Sequence, residues 1–214
     1  MSMISPAFSD AVHDSQICFR RLLKAMSEPG ECVELDRLND RSNEHEKGRG
    51  FGIMMSACSQ TLLTLADNST PLWLSPSFIQ DKAVMENLTF HIGAPITQTA
   101  DSAAFAAVSY QDSATTAWLT LPLCIGNEEY PDRSTTVIVE TDSLSCGVAL
   151  TLTGPGIEQA RDIHLGQLPD DLLNLLLQRQ HLPSFPLGLD FIFVSGQHVI
   201  AIPRSTLLEI SPCM

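Results

Sequence analysis

The chain has 214 residues, 44% of them hydrophobic and 17% charged, a composition expected of one globular domain spanning 1-214 with a sizeable core. Twelve basic residues against twenty-five acidic ones leave a formal charge of -13, a field that repels polyanions and excludes nonspecific nucleic-acid binding. The opening MSMISPAFSD has neither a basic start nor an apolar stretch, and no long apolar run follows, so a cytoplasmic protein without signal peptide or membrane span is expected.

In chain order, the first strong element is a helix over Asp14 to Met26, where Phe19, Leu22, Leu23 and Met26 follow the spacing of a buried face. Asp14 or Ser15 can cap it, and Ser27-Glu28-Pro29-Gly30 ends it. Its other face carries Arg20, Arg21 and Lys24, the densest positive patch of the chain. Glu31 to Leu35 reads as a short strand, and Asp36 to Gly50 as a polar surface loop. Ile53 to Ala66 reads as a helix apolar nearly all round, hence buried on most sides, followed by a strand at Leu72 to Leu74. A third helix fits Gln80 to Leu88, and His91 to Pro95 an extended or turn segment.

Phe105 to Ser109 is a strand candidate, Thr115 to Leu121 a short helix stopped by Pro122, and Gly126 to Ser134 a second polar loop. The β-branched runs Thr135 to Glu140 and Val148 to Thr153 read as strands. Pro169 opens a helix whose first turn holds Asp170 and Asp171, where the helix dipole favours negative charge, with a row of leucines behind. Phe191 to Ser195 and Val199 to Ile202 form a hairpin around Ser195-Gly196-Gln197-His198. The continuous run Phe191-Ile192-Phe193-Val194 predicts a strand covered on both faces, with Asp190 and Arg204 bracketing the hairpin. Helices interleaved with strands indicate a mixed-sheet α/β sandwich.

Chemistry-bearing patterns are sparse. The six cysteines include no Cys-x-x-Cys pair and are expected reduced and mostly buried; the six histidines show no paired ligand spacing, so no metal is expected. Gly48, Gly50 and Gly52 precede a helix and could form an anion nest, but no P-loop lysine follows and a flexible loop is the plainer reading. Thr153-Gly154-Pro155-Gly156-Ile157 reads as a tight turn. No Gly-x-Ser-x-Gly elbow is present, and His91 and His198 read as structural. Lys24, Lys47 and Lys82 sit in charged or polar surroundings, unlike a lysine desolvated for Schiff-base chemistry with pyridoxal phosphate.

Three tracts, FRRLLKAMSEPG (Phe19 to Gly30), TLADNSTPLWLS (Thr64 to Ser75) and Phe185 to Thr206, with HIGAP (His91 to Pro95) and LTGPGI (Leu152 to Ile157) between them, resemble the H subunit family (PhnH) of the bacterial carbon-phosphorus lyase system. The loops 36-50 and 126-134 have no match in that likeness. The resemblance implies a fold related to pyridoxal-phosphate-dependent transferases without the cofactor lysine, no cofactor, a homodimer in isolation, and a core complex with the G, I and J subunits. It also implies a place in organophosphonate catabolism, where G, I and the ATP-binding L subunit act with H to exchange the adenine of ATP for a phosphonate, giving a ribose 1-phosphonate 5-triphosphate. The family assigns no firm catalytic residue to this subunit. An assembly subunit is therefore expected. The alternative is a subunit that contributes ligand-binding groups itself, through Arg20, Arg21 and Lys24 for anion contact and Asp190 and Arg204 as supporting polar groups.

Overall fold

The computed structural model describes residues 4–35, 38, 50–178 and 185–211. Its frame is a six-stranded mixed sheet. Four neighbours run parallel: β2 (Leu72–Leu74), β3 (Phe105–Val108), β4 (Thr136–Glu140) and β7 (Asp190–Ser195). The hairpin partner β8 (His198–Ile202) and the two-residue β1 (Val33–Glu34) add on antiparallel. A second antiparallel sheet, β6-β5-β9, comprises β5 (Ala149–Thr153), β6 (Arg161–His164) and β9 (Leu207–Ile210).

Apolar side chains leave the large sheet on both faces, as the continuous run in β7 requires. On one face Ala107, Ile138, Ile192, Val194, Val199 and Ala201 pack under α1 (Ala11–Ser27), α2 (Ser56–Leu65), α3 (Pro76–Gln80) and α4 (Lys82–His91). On the other, Val137, Val139, Phe191, Phe193, Ile200 and Ile202 meet Leu150, Leu152 and Leu208 of the small sheet, Trp118, and Leu172 and Leu176 of α6 (Asp170–Gln178). Each fully buried aliphatic or aromatic side chain contributes about 1.5–3 kcal/mol, so β7, buried from Asp190 to Val194, anchors both cores.

The helices depart from the sequence reading in instructive ways. α1 begins three residues earlier than expected because Asp10, not Asp14 or Ser15, caps it, accepting from the amides of Val12 and His13. Its buried face is Cys18, Leu22 and Ala25, whereas Phe19 and Leu23 are 49% and 56% exposed. Two of the three residues that α1 buries, Cys18 and Ala25, are small, and the bulkier Phe19 and Leu23 lie on its exposed side. The expected single helix at Gln80 to Leu88 is two: Asp81 interrupts it, accepting from Ala83 and Val84 to start α4, and His91 belongs to that helix.

Thr115 to Leu121 is not a helix. The helical turn sits earlier, in α5 (Tyr110–Ser113), where the Ser109 hydroxyl caps the Asp112 amide; the chain then continues as irregular turns. Strands β6 and β9 have no counterpart in the sequence reading. α2 starts three residues later than expected, at Ser56, and is inside from Ser56 to Leu62 as expected, whereas Ile53 precedes the helix and is exposed. Among the five described cysteines only Cys18 and Cys58 are buried, so the expectation of mostly buried thiols is corrected: Cys32 and Cys146 are exposed and Cys124 is intermediate. Cys213, Lys47, Gly48 and nearly all of the 36-50 loop lie outside the described residues.

The LTGPGI tract is the turn between β5 and β6. A side chain at Gly156, whose φ is 83°, would sit 2.3 Å from the carbonyl oxygen of Ser27, so glycine is what lets this turn dock on the end of α1. The 126-134 loop folds around Asn127, whose carboxamide oxygen accepts from the amides of Glu129 and Tyr130.

Candidate functional site

The four parallel strands end on one edge at Leu74, Val108, Glu140 and Ser195, and in open α/β sheets ligands bind outside such carboxyl ends. The chain after β2 enters the face covered by α3 and α4, whereas the chain after β3 leads to Trp118 on the opposite face. Connections leaving to opposite faces open a crevice between neighbouring strands. Here Asp112 fills that crevice. Its carboxylate accepts from the Ser77 amide (2.8 Å), the Ser77 hydroxyl (2.7 Å) and the Ser109 hydroxyl (2.9 Å), while the Ser75 hydroxyl accepts from the Ser109 amide (3.0 Å). Burial alone would raise the Asp112 carboxyl, but hydrogen bonds from Ser75, Ser77 and Ser109 outweigh it and hold it below its ordinary value.

The same arrangement recurs at α2. No side chain of the preceding residues caps this helix; instead Glu140, at the end of β4 and 3% exposed, accepts from the Met55 amide at 2.6 Å. Burial pushes its carboxyl up to about 7, opposed by hydrogen bonds from the Met55 and Tyr110 amides. Cys58, one turn into α2, is fully enclosed; burial raises its thiol well above the ordinary value and the nearby Glu140 charge adds to that. At α4, Asp81 accepts from Ala83, Val84 and Ile53 amides. Asp142, just beyond β4, accepts from the Gln167 amide (3.1 Å) and the Thr141 hydroxyl (3.2 Å). A side chain on Gly166, whose φ is 68°, would lie 2.1 Å from the Asp142 Oδ1, so this approach depends on glycine.

Between α5 and the segment leading to α6 a cleft of about 380 Å³ remains open, lined by Tyr110, Gln111, Ser113, Ala114, Gln167, Leu168 and Pro169. Its rims are held from behind. The Tyr110 amide is tied to Glu140, the Gln167 amide to Asp142, and the Ser113 carbonyl accepts from the buried Trp118 indole at 2.8 Å.

The residues singled out in the sequence sit elsewhere. Asp190 starts β7, opposite Thr136 at the start of β4, and therefore lies at the amino end of the parallel strands. There it joins Arg204 in a nearly buried clamp: Arg204 donates to Asp190 from its backbone amide (2.7 Å), Nε (3.1 Å) and Nη2 (2.5 Å), and from Nη1 to the Pro131 carbonyl (2.6 Å). The clamp pins the 126-134 loop to the hairpin exit. Arg20, Arg21 and Lys24 lie on α1. Lys24 pairs with Glu28 at 2.6 Å and Arg21 donates to the Glu34 carbonyl at 3.0 Å, while Arg20 borders a groove of about 290 Å³ with Ser15, Gln16, Phe19 and Thr64. The bonds drawn by the clamp do not run to the α1 cations, and neither group lines the open cleft.

The anion nest considered at Gly50 and Gly52 is committed to the protein itself. The Gly50 amide donates to the Met54 carbonyl, that of Phe51 to the Ser59 hydroxyl and that of Ile53 to Asp81. His91 stacks on Phe51 at 5.3 Å and contacts the Ser5 carbonyl, a packing role, and His198 begins β8 at the surface.

A profile of the family described as "Bacterial phosphonate metabolism protein (PhnH)" matches residues 6–209. The chain belongs to that family. It is 34% identical over 205 residues to the alpha-D-ribose 1-methylphosphonate 5-triphosphate synthase subunit PhnH of Rhizobium meliloti (strain 1021), covering 96% of this chain and 95% of that protein. Over 87 residues it is 32% identical to the putative C-P lyase subunit protein HtxG of Stutzerimonas stutzeri, covering 40% of this chain and 43% of that one.

The features of this PhnH-family chain that sequence reasoning missed are Glu140, Asp112, Asp142 and the cleft beside them. One signal was present: the GIMM segment before α2 offers no Ser, Thr, Asp or Asn at the cap position, so the helix needs an acceptor from another part of the chain.

Proposed function

We propose that this chain is an accessory subunit of a carbon-phosphorus lyase core complex, required for the step that forms a ribose 1-phosphonate 5-triphosphate from ATP and a phosphonate, with the chemistry carried by companion subunits. The end-to-end similarity to a named synthase subunit supports the place in the complex. The observation that carries the accessory role is the self-occupied carboxyl edge. Glu140, Asp112 and Asp81 hold the backbone amides at the starts of α2, α3 and α4, the groups that would otherwise receive a phosphate or phosphonate. A chain at -13 with these positions already filled by carboxylates has little capacity for two polyanionic substrates.

The same reading includes a single working domain, a cytoplasmic setting, a homodimer when alone, and G, I and J subunits as partners. It also includes kinship with the pyridoxal-phosphate-dependent transferase fold. The described lysines do not fit that cofactor: Lys24 and Lys82 face Glu28 and Glu86 at 2.6 and 3.5 Å on exposed helix surfaces, whereas a Schiff-base lysine needs a desolvated neutral amine.

The test is charge reversal at Arg20, Arg21 and Lys24 in the coexpressed complex, with assembly and adenine release measured together. Lost assembly with an intact fold supports the accessory reading and places the partner surface on α1. Normal assembly with abolished adenine release refutes it in favour of direct ligand contact. Turnover of ATP and phosphonate by the isolated chain also refutes it.

A further inference from the structure

We propose that the cleft between α5 and the approach to α6 binds an uncharged planar heterocycle of the nucleobase class. The cleft lies at the carboxyl edge of β3 and β4, where α/β sheets take ligands, and its volume of about 380 Å³ is that of a small-molecule site. Its walls select the ligand chemistry. Gln111 and Gln167 each offer a carboxamide with donor and acceptor in one plane, which complements the mixed edge of a base, and Tyr110 supplies an aromatic surface for stacking. Ala114, Leu168 and Pro169 add apolar surface to the lining, and among the described residues no carboxylate, lysine, arginine or histidine belongs to it.

The surroundings exclude the charged alternatives. Asp112 and Asp142 lie directly behind the two rims and Asp170 and Asp171 follow Pro169, so an anion meets repulsion and no cation in the lining. A cationic ligand is attracted by the same aspartates but finds no carboxylate in the lining to pair with, because Asp112 and Asp142 are engaged with Ser77, Ser109, Thr141 and Gln167. A neutral ring avoids the anion's repulsion and can draw hydrogen bonds from the two carboxamides, and the cleft keeps its shape because the backbones of Tyr110, Ser113 and Gln167 are tied to Glu140, Trp118 and Asp142. This inference rests on the cleft alone and stands or falls separately from the subunit reading.

Trp118 provides the readout, since its indole donates to the cleft residue Ser113. In the full chain carrying Trp73→Phe, titration with adenine and with cytosine is expected to change Trp118 emission saturably, with half-saturation at about 1 mM or below. The indole N–H resonance of Trp118 in the unmodified chain gives a second measurement that needs no substitution at Trp73. Gln111→Ala and Gln167→Ala, both at exposed side chains, should each weaken binding about threefold to tenfold while leaving the thermal midpoint unchanged. Methylphosphonate and inorganic triphosphate should not compete at matched ionic strength. Absence of saturation up to about 5 mM base in both measurements overturns the proposal. So does undiminished affinity in both variants, or displacement of the base by either anion. Because these titrations do not read assembly with partner subunits, a failure leaves the accessory role to its own test.

Discussion

Replacing Glu140 by glutamine should remove a pH dependence of folding that runs opposite to ordinary acid denaturation. The Glu140 carboxyl is raised from 4.5 to about 7 in the folded chain by its burial at the end of β4, even though the Met55 and Tyr110 amides pull the other way. Below pH 4.5 the group is protonated in both states. Between 4.5 and about 7 the folded chain keeps a proton that the unfolded chain has released, so the stabilisation this group gives is fully present at low pH and is lost as pH rises through 7. At ~1.36 kcal/mol per pH unit, the interval amounts to about 3 kcal/mol. The carboxamide introduced by Glu140→Gln would not titrate, and whatever it loses or gains in hydrogen bonding is independent of pH. Urea unfolding of both chains from about pH 5 to about pH 8, followed by circular dichroism, should therefore show the parent losing about 2–3 kcal/mol relative to E140Q across the window. Asp10, Asp67 and Asp112 are shifted downward and act only in more acidic solution, outside that comparison. Parallel stability curves for the two chains would refute the assignment of a buried, proton-holding carboxyl to this position.

Breaking the clamp at the hairpin exit by Arg204→Ala or Asp190→Ala should cost about 3–5 kcal/mol, because the remaining ion stays nearly buried without its partner; the double substitution should cost less than the sum, as denaturation midpoints can show. Gly166→Ala should destabilise by at least about 1–2 kcal/mol through its positive φ, with further cost from the approach to Asp142; a thermal midpoint equal to the parent's would count against that geometry. In the native state a thiol reagent should modify Cys146 first, Cys32 more slowly because partial burial and Glu31 raise its thiol, and Cys58 only on unfolding, and mass spectrometry of the labelled peptides reads the order directly.

The parts of this fold that are legible in the sequence are those in which one local pattern decides the outcome. Phe191 to Val194 is apolar at every position, and its short length, aromatic and β-branched content and neighbouring Gly196 turn favour a strand between two layers over a buried helix. The helical face of α1 is misplaced when bulk is taken as the sign of burial, because Cys18 and Ala25 are inside owing to their small size. Strands β6 and β9, reading RDIH and LLEI, carry no alternation of their own and exist through pairing with β5. Asp190 and Arg204 bracket the hairpin as expected, and pairing across two antiparallel strands brings them together. Their role at the amino edge depends on strand direction, which no short motif encodes.

The carboxyl edge is illegible for a related reason: each of its contacts joins residues far apart in the chain, Met55 with Glu140 and Ser77 with Asp112. Among the described residues, those contacts fill with the chain's own carboxylates the helix N-termini gathered at the expected ligand edge. A phosphate group at α2 would have to displace Glu140 from the Met55 amide and would be repelled by the ionised fraction of that carboxyl, which burial raises to about 7. Neutralising Glu140 removes that repulsion without adding any positive group, so E140Q alone would not create a phosphonate site. Polyanionic substrates need cations, and among the described residues this edge presents capping carboxylates instead, which fits the proposed role of one subunit among several.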